Sequence, residues 1–269
     1  MPPPQHQPPS IRNEFSTWYN GLPPVTKSLL SLTTLFTLLP VFRLVYASKL
    51  ELIWPFVTHK FQIWRLFTTF FTGRISIPFV FNLYFMYVYS HKLELEVYQG
   101  QTADYVYFLL ISSLGQLFLD RFYFNLGYLS NGLVPSIMYL WSKHYADQPV
   151  TFMFGLRFKA IFLPWVMVGY EYIANGGVTP LPTIYGIAAS HLYYYFKHIR
   201  PSQGGGQYLN TPGFLNRLFP PTTAARRVPG VGYAWSNSNQ RQAQQQQQQQ
   251  SRTNIMGGHV WGRGNRLGS

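Results

Sequence analysis

Apolar residues in this chain gather into long, nearly unbroken runs, rather than the stripes of a soluble amphipathic helix or the alternation of a half-buried strand. Six such runs lie near residues 28–46, 76–90, 103–119, 126–142, 158–174 and 179–196. Each is close to the roughly 17–20 residues that an α-helix needs to cross a hydrocarbon core about 30 Å thick. Several contain residues that weaken a helix or add a polar group, among them Pro40, Asn82, Gly115, Gln116, Pro135, Pro164 and Pro182. The pattern predicts an all-α membrane protein of six spanning helices, short for the bilayer. A bundle shorter than the hydrocarbon core thins the lipid around it.

The polar segments between and beyond these runs divide the chain further. Residues 1–10 are proline-rich and lack the basic and apolar regions of a cleaved signal peptide, so the first run is expected to act as an uncleaved signal anchor. Residues 1–17 are expected to be disordered and cytosolic. Trp18, Tyr19, Pro23, Pro24 and Lys27 then mark the membrane interface. Residues 47–75 are too long for a turn and include Phe61-Gln62-Ile63-Trp64-Arg65-Leu66-Phe67. Apolar side chains around one arginine suit a segment lying in the interface with its charge turned toward water or a partner, Trp64 and Arg65 setting the loop's architecture. After Phe196 come Gly204-Gly205-Gly206, scattered prolines and seven consecutive glutamines, with no Asp or Glu. Disorder is expected over residues 200–258, because such a segment buries too little apolar surface to offset its ordering entropy.

Composition agrees with a membrane protein: 47% of the 269 residues are hydrophobic, 18% aromatic and only 11% charged. The absence of cysteine excludes disulfides, thiolate metal sites and cysteine nucleophiles. A net charge of +13 is spread over flanks and tail, not gathered in a groove with stacking aromatics, so anionic lipid headgroups are expected as partners and nucleic acid is not. With both termini in the cytosol, that side carries fifteen of the 21 Lys and Arg residues, although the first loop runs against the bias. His59, His91 and His198 show no metal-ligand spacing, and no metal or cofactor is expected.

Candidate chemistry centres on Gly186-Ile187-Ala188-Ala189-Ser190-His191 in the sixth run. Small residues at Gly186 and Ser190 let two helix backbones approach closely, with Ser190 adding a hydroxyl that loosens the approach slightly. His191 beside them is either a catalytic base or a retained polar residue at a packing seam. Asn82 and Glu171 are further polar intramembrane residues, and Glu171, close to Asn175-Gly176-Gly177, is expected to be hydrated near the far surface. The chain finishes in Trp261-Gly262-Arg263-Gly264-Asn265-Arg266-Leu267-Gly268, where Trp261 and Leu267 look like anchors on a flexible peptide.

Several of these stretches together resemble the derlin family, rhomboid-like pseudoproteases of the endoplasmic reticulum membrane. They include Trp18-Tyr19-Asn20-Gly21-Leu22-Pro23-Pro24, Gln62-Ile63-Trp64-Arg65, Asn82-Leu83-Tyr84-Phe85-Met86, Tyr89-Ser90-His91-Lys92-Leu93-Glu94, Tyr139-Leu140-Trp141-Ser142-Lys143, Leu163-Pro164-Trp165 and Thr211-Pro212-Gly213-Phe214-Leu215. The resemblance implies a role in endoplasmic-reticulum-associated degradation, with a thinned membrane and a lateral opening between the second and fifth spans for misfolded clients. It also implies a ubiquitin-ligase membrane complex as partner and room for a homo-oligomer. The terminal peptide is similar to an SHP box, which implies that Trp261, Gly262, Gly264, Arg266 and Leu267 recruit the AAA+ unfoldase valosin-containing protein. Residues 201–258 would span about 40–45 Å as a flexible coil, enough for a large hexamer to dock clear of the membrane.

An active rhomboid protease is the first alternative. It needs a Gly-x-Ser-Gly nucleophile in the fourth span and a histidine base in the sixth. Ser130 follows Gly127 by three residues and precedes Asn131, and Ser136 sits beside Pro135 with no flanking glycine, so the motif is not met. A membrane scaffold or small-solute transporter is the second alternative, and the two halves show no inverted repeat of the kind many transporters carry.

Overall fold

A computed structural model describes residues 11–123, 126–152, 155–204, 206 and 209–220. They form an all-helical bundle with one two-stranded hairpin. The helices are α1 (Ile11–Gly21), α2 (Pro24–Val41), α3 (Trp54–Lys60), α4 (Trp64–Thr68), α5 (Ile77–Lys92), α6 (Thr102–Tyr123), α7 (Ser130–His144), α8 (Leu163–Ala174), α9 (Leu181–Tyr194), α10 (Arg200–Ser202) and α11 (Gly213–Leu218). Strands β1 (Pro149–Thr151) and β2 (Arg157–Lys159) pair antiparallel between α7 and α8. One helix falls in each of the six apolar runs: α2, α5, α6, α7, α8 and α9.

Among the described residues, α2 and α6 are long and apolar enough to cross a membrane, and Ala160–Ala174 is a shorter apolar helical stretch. The bundle is apolar on its outside: Leu35 on α2, Val80 on α5, Leu114 and Phe118 on α6, and Trp165 and Ile173 on α8 are all exposed. Contiguous exposed apolar surface of this kind marks contact with lipid or a partner. Inside, α7 is the hub, buried at every position from 132 to 142 and packed against α9, α5, α8 and α6.

Four boundaries differ from the sequence expectation. Residues 11–17, expected to be disordered, are helical within α1, where Phe15 stacks near Trp18 and Tyr19, and Trp18 meets Tyr87 of α5. The first run ends at Val41, because Pro40 lies in the last turn and Arg43 turns the chain with φ 58°. The fifth loses its first residues to β2 and a 3-10 turn; Pro164, in the first turn of α8, costs no hydrogen bond there. Part of the stretch from 200 to 258 is also ordered: α11 buries Leu215 against the bundle and Thr211 bonds Asp104 on α6. Residues 221–269 lie outside the described residues.

Candidate functional site: a polar cavity beside a close-packed helix seam

The seam forms where α7 meets α9. A Cβ added at Gly186 would collide with the carbonyl oxygen of Gly132, so only glycine permits this approach. Gly132 is constrained from the other side by the carbonyl oxygen of Pro182 in the first turn of α9, with the side-chain oxygen of Gln116 on α6 also close. Ser190 Oγ donates to Ser136 O across the seam (2.9 Å), so its hydroxyl ties the helices together and does not loosen them. Sequence reading identifies Gly186 and Ser190, notes Gln116 only as a polar residue in its run, and misses Gly132.

His191 and Ser136 lie on these same two helices but have different partners. His191 Nδ1 bonds the Tyr139 hydroxyl (2.5 Å), and the imidazole is exposed at the bundle surface. Ser136 Oγ lies 2.9 Å from both Gly132 O and Gly186 O and accepts from Gln116 Nε2 at 3.1 Å. Its single proton is held between two carbonyls within the seam. This geometry turns the serine into a bridge between helices.

A cavity of about 900 Å³ opens between α5 and α8. Helix α5 packs on α2 and α7, whereas α8 packs on α7 and α9, and the space between them is left open. Its wall is largely apolar but carries polar side chains, Thr33, Thr37, Asn82, Ser130, Asn131 and Glu171 among them. Glu171, expected near the far surface, lies at the cavity wall. It is buried and accepts from the Thr183 hydroxyl, because the turn into α9 brings Thr183 back over α8. Among the described residues the one ion pair is Lys159–Asp147 at 3.0 Å, far from any role for Glu171. Asn82 Oδ1 is likewise buried at the cavity wall without a hydrogen-bond partner. Water or a polar guest in the cavity would satisfy the Asn82 oxygen.

The first loop closes one end of the bundle. Arg65 is only 3% exposed, and its guanidinium donates from Nη1 to Ser48 O and Glu51 O (2.6 Å each) and from Nε to Gln62 Oε1 (2.7 Å). The charge is therefore turned inward onto carbonyls, and the loop is knotted around it. Trp64, Phe61 and Ile63 remain exposed, leaving an apolar rim. Leu52 N donates to Gly127 O (2.7 Å), Leu129 N to Thr69 Oγ1 (3.1 Å) and Trp54 Nε1 to Asp120 Oδ2 (2.8 Å), fixing the loop to α6 and α7.

The other end is fixed by Glu94, which sequence reading did not single out. A helix begins with four N–H groups that lack intrahelical partners. Pro23 and Pro24 remove two of them from α2, and the remaining pair, Val25 N and Thr26 N, donate to Glu94 Oε1 (2.9 Å) and Oε2 (2.8 Å). Thr26 Oγ1 adds a third bond (2.9 Å), and Ser90 and Tyr105 extend the network. A π-helical turn at Leu93–Val97 carries the carboxylate to this position. Burial pushes the Glu94 carboxyl above its ordinary value, against the pull of the Val25 and Thr26 donors. The legible signal was a helix start, Pro23-Pro24-Val25-Thr26, that holds no side-chain cap of its own.

Among the described residues no cluster of His, Cys, Asp and Glu could hold a metal. Trp261, Gly262, Gly264, Arg266 and Leu267 lie outside the described residues. An apolar exterior, an interior opening between helices with polar groups on its wall and two helices of spanning length define a helical membrane protein. Residues 22–213 match the Der1-like family. Derlin-1 of Drosophila melanogaster is 36% identical over 212 residues, covering 77% of this chain and 85% of its own length. Derlin-1 of Homo sapiens is 32% identical over 262 residues, covering 95% and 99% respectively, and Derlin-1 of Oryza sativa subsp. japonica is 33% identical over 204 residues, covering 75% and 83%. The chain belongs to the Der1-like family and is a derlin.

Proposed function

We propose that this derlin is a non-catalytic, six-span, rhomboid-like protein of the endoplasmic reticulum membrane that helps misfolded proteins return to the cytosol for degradation. Both termini face the cytosol in this reading. The observation that carries it is the cavity of about 900 Å³ between α5 and α8, with the polar groups on its wall. A polypeptide leaving the lumen must take peptide groups and polar side chains past the hydrocarbon core, where each unsatisfied group costs several kcal/mol. Threonine hydroxyls, Asn82, Asn131 and Glu171 offer such a chain hydrogen-bond partners, and helices shorter than the bilayer reduce the distance to be crossed. The absence of a Gly-x-Ser-Gly motif and the engagement of Ser136 with two carbonyls support a non-catalytic role.

Force comes from outside the membrane in this scheme. Trp261, Gly262, Gly264, Arg266 and Leu267 form an SHP-box peptide that recruits the AAA+ unfoldase, and a ubiquitin-ligase membrane complex marks the client. A photo-crosslinking residue at Asn82 or Tyr170 is expected to capture a misfolded luminal client in microsomes, with no capture at Leu114 on the outer face of α6. Capture at Leu114 alone would refute the cavity as the client path. Deleting residues 259–269 is expected to abolish co-purification of the unfoldase while leaving client capture at Asn82 in place.

A further inference from the structure

The described chain continues past the last membrane run into a segment that returns to the bundle. Lys197 Nζ donates to Leu209 O (2.7 Å), Thr211 bonds the Asp104 carboxylate in the first turn of α6, and Leu215 is 3% exposed. These contacts hold α11 at the N-terminal end of α6, a helix long and apolar enough to cross the membrane. That level is where hydrocarbon gives way to headgroups.

Successive residues of an α-helix turn by about 100°. Phe214 and Leu218, four apart, therefore share one face, with Leu215 on the protein side and Asn216 opposite the Phe214 and Leu218 pair. Phe214 is 65% and Leu218 68% exposed, and Asn216 and Arg217 are exposed as well. Arg217 is the one charged side chain within residues 209–220, and no Asp or Glu follows Glu171 in the chain. An apolar face, a polar face and a basic residue at the level of a spanning helix's end are what the boundary between headgroups and acyl chains accepts.

We propose that residues 209–220 form an interfacial strap, docked on the start of α6 through Thr211 and Leu215, that lays Phe214 and Leu218 into the headgroup–acyl boundary of the bilayer. The strap fixes the root of the chain that follows at the membrane surface. A pull on the tail then reaches α6 through Asp104 and Leu215 rather than running directly to α9.

The chain has no cysteine, so a single introduced cysteine takes the spin label without any background thiol. Full-length F214C, L218C and N216C, each carrying a nitroxide, would be reconstituted in phosphatidylcholine vesicles with and without phosphatidylserine. Collision with oxygen and with a water-soluble nickel chelate is then measured. The oxygen-to-nickel accessibility ratio at 214 and 218 is expected to exceed that at 216 severalfold. Equal ratios at the three positions would overturn the strap. Shielding of 214 and 218 from both reagents, with dipolar coupling between labels, would assign the face to a second copy and overturn it equally. Combining Asp104→Asn with Thr211→Val is expected to increase label mobility at 218 and leave a label at Leu114 unchanged. Unchanged mobility at 218 would refute the anchoring role of that bond.

Discussion

Replacing Glu94 with alanine removes the acceptor of three hydrogen bonds that close the N-terminal end of α2. Val25 is 7% exposed and Thr26 is fully buried, so water does not reach their N–H groups easily. Leaving two buried donors unpaired costs ~1–3 kcal/mol each, and relief from burying a carboxylate offsets part of that, for an expected net loss of about 2–4 kcal/mol. Glu94→Gln retains one acceptor oxygen and is expected to lose about 1 kcal/mol. The assay is equilibrium unfolding in mixed micelles, followed by tryptophan fluorescence, with hydrogen exchange read at the Val25 and Thr26 amides. A second arm uses pH. Because burial raises the Glu94 carboxyl, the folded state holds its proton more tightly than the unfolded chain. The associated stability is fully present below the ordinary carboxyl value and is lost as pH rises through the raised folded value. The advantage of the parent over Glu94→Gln should therefore grow on acidification from neutrality. An alanine variant within ~0.5 kcal/mol of the parent, with both amides still protected, would refute the capping argument.

Three other outcomes follow from the same geometry. Gly186→Ala forces a methyl against Gly132 O and is expected to destabilise by ~1–3 kcal/mol or more, seen as a lower unfolding midpoint, with Gly132→Ala behaving alike. Arg65→Lys cannot reproduce bonds to Ser48 O, Glu51 O and Gln62 together; faster limited proteolysis within residues 47–75 is expected, and Arg65→Ala should cut faster still. Ser136→Ala is expected to lower stability by about 1 kcal/mol through the lost bridge between α7 and α9, yet to leave client degradation rates unchanged, as should His191→Ala. Loss of cleavage of a membrane reporter in either variant would restore the protease alternative.

Much of the organisation was readable before any coordinates. The six apolar runs each hold a helix, because a segment that avoids water along its whole length has few other ways to satisfy its backbone. Gly186 was readable as a close approach because glycine between apolar neighbours has little other use. Run lengths misjudged where helices end: a β-hairpin takes residues 157–159, and Pro40 and Arg43 end α2 early. Hydropathy does not register such local breaks.

The site divides in the same way. Trp64, Arg65, Asn82, Glu171, Gly186, Ser190 and His191 stood out because each is costly or unusual in its surroundings. Their partners did not, since Gly132, Thr183 and Tyr139 are ordinary residues whose significance depends on which helix faces which, and Gln116, though polar in an apolar run, shows its role only once α6 meets α7.

By itself, the sequence determined an all-helical membrane protein, because runs of apolar residues are a local property, and its short motifs carried the resemblance to the derlin family that the comparisons bear out. The resemblance implied an opening between the second and fifth spans; only the tertiary structure decided which side chains line the space between α5 and α8, that Glu94 closes a helix some seventy residues away, and that Arg65 turns inward. Those outcomes depend on long-range pairing, in which a buried polar group takes the partner that folding brings to it.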